Sequence, residues 1–193
     1  MDFFDKGYAC IELIDPKFAL DVWKDIDQDE IRRFLAEVSE KPWKALTFPR
    51  TPSSVAFVQE IDRVSKGSPP KGFKDTDDQN MYKCWERYGK RWLNPAIVEQ
   101  RLNLFMNTQQ NIETRGIEEH IWVLVPLVPV SQFKGLPTLM EGTHRSAKTK
   151  INKPYDPVVQ PGQALMFDAR LVTHDPGVGG GVVFARAYDV TNM

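Results

Sequence analysis

A histidine and an arginine near the C-terminus are the residues of this chain best suited to chemistry. His174 ends a run of mainly apolar residues, and Arg186 lies further along, beyond a glycine-rich segment. An imidazole ring is a good ligand for iron(II) and other transition metals. A guanidinium group presents a planar fork that matches a carboxylate. The two side chains together would suit a metal ion held beside an organic anion.

Arg186 belongs to an apolar run that predicts a strand. Side chains alternate across a strand, so Phe184, Arg186 and Tyr188 share one face. The glycines before this strand let the chain turn back from His174 without steric penalty. We expect the shared face to point into a barrel near His174, where an arginine between aromatic rings needs an anion.

Short runs rich in β-branched and aromatic residues predict further strands in the second half of the chain. One run covers 121–130, where Pro126 and Pro129 indicate an edge position or a bulge. The runs at 163–167 and 182–188 follow a Pro-Gly turn and a glycine run.

The first half carries mainly helical signals up to about Leu104. Apolar residues at 31, 34, 35 and 38 predict an amphipathic helix over 29–38. Residues 53–64 form a second candidate helix, and spaced aromatic residues predict a third over 77–93. The Gly- and Pro-rich segment 66–72 is typical of a loop. Helices followed by short strands favour an α+β domain in which helices back a β-sandwich or barrel.

Composition places the chain among ordinary globular proteins. Its 193 residues are 41% hydrophobic and 26% charged, with a formal net charge of -1. This balance predicts neither a nucleic-acid nor a membrane partner. Cys10 and Cys84 lack metal-binding spacing and are interpreted as reduced core thiols. The acidic N-terminus lacks a secretory pattern, so we expect a cytoplasmic protein. We also expect residues 1–193 to form a single domain, with mainly helical support over 1–104 and a β-barrel core over 105–193.

Three stretches carry a family resemblance. The first is 3–11, where a short helix leads through a Gly-Tyr pair into a strand. The second is the Pro-Leu strand at 125–130, followed by a glycine and then Glu-Gly-Thr-His-Arg at 141–145. The third is 161–174, which begins with Pro-Gly and ends in Thr-His, followed by Arg186. Together they resemble the phytanoyl-CoA hydroxylase-like iron(II)/2-oxoglutarate dioxygenases, most fully from Val125 to the C-terminus.

The resemblance implies a double-stranded β-helix, the jelly-roll or cupin-like barrel, backed by N-terminal helices. It implies Fe(II) and 2-oxoglutarate as cofactors and a small organic molecule as substrate. The family's iron-binding histidine corresponds to His174, and its co-substrate arginine corresponds to Arg186. His144 and Arg145 fall in a loop that is structural or substrate-adjacent in the family, so we leave them outside the metal site.

The chain departs from the family at one point. Active members carry a His-x-Asp or His-x-Glu pair before the Pro-Leu strand, and this sequence has none. In one account Glu118 and His120, two residues apart on one side of a strand, join His174 in an inverted triad.

In a second account the missing pair corresponds to Asn111 and Glu113, which have the right spacing. An amide is a poor iron ligand, so metal binding would be weak or lost. The nearness of His120 to the Pro-Leu strand favours this second account.

Two functions from different classes follow. One is an iron(II)/2-oxoglutarate-dependent oxygenase acting on a small organic substrate of secondary metabolism. The other is a metal-free member of the fold, acting as an isomerase or cyclase or as the non-catalytic partner of an active homologue. A simple ligand-binding jelly roll fits the strands but not the pairing of His174 with Arg186. Either a homodimer or a heterodimer is compatible with these readings.

Overall fold

The computed structural model describes residues 3–65, 96–109, 112–116, 119–145 and 153–189. The predicted helix at 77–93, the loop at 66–72 and Cys84 therefore lie outside the described residues.

Four helices belong to the first third of the chain: α1 (Phe3–Lys6), α2 (Pro16–Asp25), α3 (Gln28–Ala36) and α4 (Pro52–Ser65). Side-chain caps fix two of their starts. Asp15 accepts from the backbone N–H of Lys17, and Asp27 accepts from the backbone N–H groups of Asp29 and Glu30. Such caps satisfy N–H groups that the first turn of a helix leaves free.

The strands form two large antiparallel sheets. The six-stranded sheet has the order β1 (Tyr8–Glu12), β10 (Gln163–Asp168), β7 (His120–Pro126), β12 (Val182–Asp189), β4 (Ile97–Phe105) and β3 (Trp43–Leu46). The four-stranded sheet has the order β6 (Ile112–Arg115), β11 (Val172–Asp175), β8 (Thr138–Met140) and β9 (Pro154–Tyr155). A small parallel pair joins β2 (Val38–Ser39) to β5 (Asn107–Thr108), and a 3-10 turn covers Gln132–Lys134.

Two apolar clusters divide the core into layers. The helix-side cluster joins helices to one face of the six-stranded sheet, and its members include Val22, Ile31, Phe57, Ile61, Leu102, Leu104, Val123 and Phe184. The interior cluster joins the two sheets, and its members include Tyr8, Phe105, Leu124, Leu139, Leu165, Phe167, Leu171, Val183 and Ala185. A side chain that faces the interior cluster is called inward below.

This arrangement confirms the prediction of antiparallel sheets backed by helices; closure into a barrel stays a prediction. The strands predicted at 163–167 and 182–188 are confirmed as β10 and β12, and the helix predicted at 53–64 is α4. The helix predicted at 29–38 ends earlier, because Val38 pairs with Asn107 in the small parallel sheet. The part of the chain up to Leu104, predicted as mainly helical, also contributes β1, β3 and most of β4, of which β1 begins at the Gly-Tyr pair as the resemblance implied.

Two of the stretches that carried the family resemblance contact each other. Gly7 has φ of 83°, and a Cβ there would lie 2.5 Å from Nδ1 of the buried His144. Only glycine fits that combination of positive φ and close approach. The hydroxyl of Tyr8 donates to Glu141 at 3.0 Å, and Arg145 pairs with Asp5 at 3.1 Å. The loop at 141–145 is thus held against the turn that begins β1.

Among the described residues, no helix is both long and apolar enough to cross a membrane.

Candidate functional site

His174 and Glu113 are brought together by the pairing of β11 with β6. They are direct partners across the two strands, and His174 Nε2 lies 3.4 Å from Glu113 Oε2. Both side chains are well exposed, at 43% and 67%. Their exposure suits a surface pair better than a ligand pair enclosed between sheets.

The register of β11 decides which of its side chains are inward. Thr173 is the partner of Leu139, which belongs to the interior cluster, and Leu171 of the same cluster lies two residues away. Since side chains alternate along a strand, Thr173 is inward and His174 faces the opposite side. The expected inward histidine is therefore replaced by a threonine.

A threonine also occupies the inward position across from Thr173. The hydroxyl oxygens of Thr114 on β6 and Thr173 lie 2.6 Å apart in a hydrogen bond. Thr173 has only 9% of its surface exposed. These two neutral hydroxyls satisfy each other, and a hydroxyl is a much weaker ligand for iron(II) than an imidazole or a carboxylate.

Asp175 is the carboxylate that shares the inward side of β11 with Thr173. Only 6% of the residue is exposed. Burial raises the pKa of this carboxyl group to about 6, while the neighbouring His174 acts in the opposite direction. A carboxyl group with a pKa near neutrality can accept or donate a proton under ordinary conditions.

His120 begins β7 and belongs to the six-stranded sheet. It is the partner of Asp189, and it shares the inward side of β7 with Trp122 and Leu124. His174 faces away from that interior, so the structure does not bring these two predicted ligands together. Glu118, the third member of the predicted triad, lies outside the described residues. Within the described parts of the chain, no three His, Cys, Asp or Glu side chains form a group suited to a metal ion.

Arg186 does not face the interior cluster, which corrects the sequence prediction. Phe184 belongs to the helix-side cluster, and Val183 and Ala185 belong to the interior cluster. Arg186 therefore lies on the side that faces the helices, with 1% of its side chain exposed. The alternation of Phe184, Arg186 and Tyr188 was predicted correctly, but the face was assigned to the wrong layer.

The anion that Arg186 needs comes from α4. Its Nη1 donates to Asp62 Oδ1 at 2.6 Å and to the Tyr188 hydroxyl at 3.2 Å. Its Nε and Nη2 donate to Gln100 Oε1 at 3.1 and 2.6 Å. The guanidinium carbon also lies 5.4 Å from the centre of the Phe184 ring. The charge is thus compensated inside the protein, and the buried fork anchors α4 to the sheet.

Sequence reasoning missed both Asp62 and an inward arginine, Arg101. Asp62 could have been noticed as a charged residue next to the apolar stripe of α4, since it directly follows the fully buried Ile61. Arg101 shares the inward side of β4 with Phe105 of the interior cluster, and its side chain is 19% exposed. Its guanidinium carbon lies 5.7 Å from the Trp43 ring centre and 5.1 Å from the Trp122 ring centre.

The fold is similar to that of several proteins of known structure. The sequence matches no family model and no curated relative. Its structure is similar to HygX from Streptomyces hygroscopicus, solved with nickel, 2-oxoglutarate and hygromycin B, at 13% identity and a TM-score of 0.57; 99% of this chain and 85% of that chain are covered. It is also similar to two non-heme α-ketoglutarate-dependent enzymes of nogalamycin biosynthesis. The carbocyclase SnoK gives 10% identity and a TM-score of 0.56 over 96% of this chain and 80% of that one. The epimerase SnoN gives 14% identity and a TM-score of 0.56 over 98% of this chain and 80% of that one.

The chain has the fold of the non-heme α-ketoglutarate-dependent enzymes, as the sequence resemblance indicated. That fold implies a metal ion and a 2-oxo acid, and the described inward side chains do not provide a ligand set for the metal. The two threonines offer a mutually bonded pair of hydroxyls, Asp175 offers one carboxylate, and His120 is an inward imidazole that the structure does not bring together with His174. Arg186, the expected co-substrate arginine, is bound to Asp62 on the other side of the sheet.

Proposed function

We propose that this chain is a metal-independent member of the fold that holds a small organic molecule between its two sheets. The observation that carries the proposal is the inward hydrogen bond between Thr114 and Thr173. A metal-dependent enzyme needs strong ligands at the metal, and the inward positions 114 on the edge strand β6 and 173 on β11 carry none. The surface position of His174 and the pairing of Arg186 with Asp62 support the same conclusion.

The chemistry open to such a protein is proton transfer without oxygen. Asp175 is inward, buried, and has a pKa of about 6, which suits an acid or base in an isomerisation or a cyclisation. The structural neighbours include an epimerase and a carbocyclase, both of which are α-ketoglutarate-dependent. A non-catalytic partner of an active homologue would use the same interior for binding alone.

A second candidate is the iron(II)/2-oxoglutarate oxygenase, acting on a small organic substrate in secondary metabolism. The observation that favours it is the inward position of His120, together with the similarity to HygX bound to nickel and 2-oxoglutarate. Its metal site would consist of His120, Glu118 and His174, with Arg186 at the co-substrate. For His120 and His174 to hold iron together, β11 would have to turn its His174 side toward the interior cluster.

Titration of the purified protein with 2-oxoglutarate in the presence of manganese(II) separates the two candidates. We expect no manganese-dependent binding heat from the wild-type protein, because the described inward side chains form no metal-ligand set and Arg186 is already paired with Asp62 and Gln100. Binding that is lost in Arg186→Ala but retained in Arg32→Ala would support the oxygenase. Arg32 is a suitable control because its side chain is 70% exposed and its partner Asp29 is 86% exposed.

A further inference from the structure

We propose that Arg101, lying between Trp43 and Trp122, is an anion-binding position that takes the carboxylate of a small organic acid with a flat apolar body. The inference rests on the proposed function, since it names the chemical class of the molecule held between the sheets.

The register of three strands surrounds Arg101 with two small side chains and two indole rings. Arg101 is the direct partner of Ala185 on β12, and Ala187 is the partner of both Glu99 and Trp122. Side chains at 101, 185 and 187 share the inward face, because Ala185 and Phe105 belong to the interior cluster. Two alanines on the central strand allow the indole rings of the outer strands to approach, and the Trp43 and Trp122 ring centres are 6.5 Å apart.

The guanidinium of Arg101 is held in a fixed orientation. Its Nε donates to Asn103 Oδ1 at 2.7 Å, and Asn103 is 1% exposed. Its Nη1 is bonded to Glu99, and both indole rings lie within the distance at which a cation is attracted to an aromatic face. A side chain already fixed by such contacts loses little further freedom when a ligand binds.

The remaining edge of this guanidinium points to an anion as the ligand. Nη2 makes no hydrogen bond to the described residues, and the side chain is 19% exposed. A carboxylate accepts a charge-assisted hydrogen bond at such a position. The indole faces offer apolar contact to the rest of the molecule, and Trp43 is 37% exposed.

The carboxylate of Glu99 competes with a ligand carboxylate for the positive charge of Arg101. It is paired with Arg101 and its side chain is 40% exposed. An incoming carboxylate meets repulsion from Glu99, so neutralising that residue should tighten anion binding. A role for Arg101 in packing alone gives no reason for such an increase.

The test is a titration of the full chain with benzoate, a flat carboxylate, followed by tryptophan fluorescence and calorimetry. We expect saturable binding to the wild-type protein, about tenfold or more weaker binding in Arg101→Gln, and several-fold tighter binding in Glu99→Gln. Benzyl alcohol, which lacks the charge, should bind the wild type no better than it binds Arg101→Gln. Arg32→Gln serves as the matched control and should bind benzoate as the wild type does.

Three outcomes would overturn the proposal: no benzoate binding by the wild type, equal binding by wild type and Arg101→Gln, or no tightening in Glu99→Gln. Circular dichroism and the urea midpoint of each variant ensure that a loss is not unfolding. Iron retention, measured on the same wild-type sample, tests the proposed function separately. A protein that retains no iron and ignores benzoate contradicts only the Arg101 proposal, whereas one that retains iron contradicts metal independence.

Discussion

The side chains of Thr173 and His174 leave β11 on opposite faces. Because Thr173 is the inward one, a hydroxyl and not an imidazole is available between the sheets. Thr173 shares its face with Leu171 and meets Thr114, whereas His174 meets Glu113 in the solvent. A change of register by one residue would exchange the two sets, because strand side chains alternate with a period of two. The absence of an inward histidine on β11 is thus a property of its register as well as of its composition.

The inward position of Thr114, Thr173 and Asp175 can be tested by building a metal site there. Changing Thr114 and Thr173 both to histidine should place two imidazoles beside the carboxylate of Asp175, a ligand set that suits divalent transition metals. We expect the double variant to bind nickel(II), measured by calorimetry, and the wild type not to. Adding Asp175→Asn should weaken this binding.

The control for that experiment uses the outward face. Changing Glu113 to histidine beside His174 adds the same ligand type at the protein surface. Equal nickel affinity in the two designs, or strong loss of inward binding when His174 is changed to alanine, would contradict the assigned register.

Asp175 should make the stability of the protein depend on pH. Burial raises the pKa of its carboxyl group from 3.8 to about 6, so the folded state binds a proton more tightly than the unfolded state. Stability is therefore lost as pH rises from about 4 to about 6, and the penalty at neutral pH is up to about 3 kcal/mol. Asp175→Asn removes the titrating group. The variant should gain stability relative to wild type as pH rises through this window, measured by urea unfolding at both ends. A constant difference between the two proteins would show that this carboxyl group does not titrate there.

At the scale of elements, α4 is tied to the six-stranded sheet by a polar contact inside an apolar layer. Arg186 is fully buried, and Asp62 on α4 neutralises it at 2.6 Å while Gln100 on β4 satisfies its other edge. A buried arginine that loses its partner pays the cost of desolvation without compensation. The contact therefore fixes how α4 lies on the sheet.

Removing Asp62 should destabilise the protein. We expect Asp62→Ala to lower the free energy of unfolding by about 1 to 3 kcal/mol, less than for a fully enclosed pair because Asp62 is 39% exposed. Asp21→Ala is the matched control, since Asp21 pairs with Lys24 on the surface of α2 at 36% and 71% exposure. The control should change stability by about 0.5 kcal/mol or less. Equal losses in the two variants, measured by urea unfolding, would contradict an anchoring role for Asp62.

The elements differ in how far the sequence determined them. Apolar periodicity and the bounding Pro or Gly residues were sufficient to predict α4, β10 and β12 from the sequence. The strand β4 falls in the part predicted as mainly helical, since Ile97 to Arg101 mixes apolar and charged residues and its exposed end carries little apolar pattern. The direction of Arg186 could not be predicted, because β12 is apolar on both faces and the sequence does not say which face meets the helices.

At the scale of the whole molecule, the resemblance identified the fold but not the site. Pro-Gly turns, the Pro-Leu strand and the loop at 141–145 are features of the scaffold, and the structural neighbours share that scaffold at 10 to 14% identity. The chemistry of a shared fold depends on a few inward side chains rather than on the sheets. At two such positions this chain carries Thr114 and Thr173, whose hydroxyls are hydrogen-bonded across β6 and β11.

Iron retention is the measurement that decides whether the space between the sheets holds a metal ion. Purified protein is loaded anaerobically with excess iron(II), desalted, and its bound iron is measured. We expect a trace amount of iron, unchanged by His120→Ala or by His174→Ala. One equivalent of iron per chain, lost when either histidine is replaced, would contradict it.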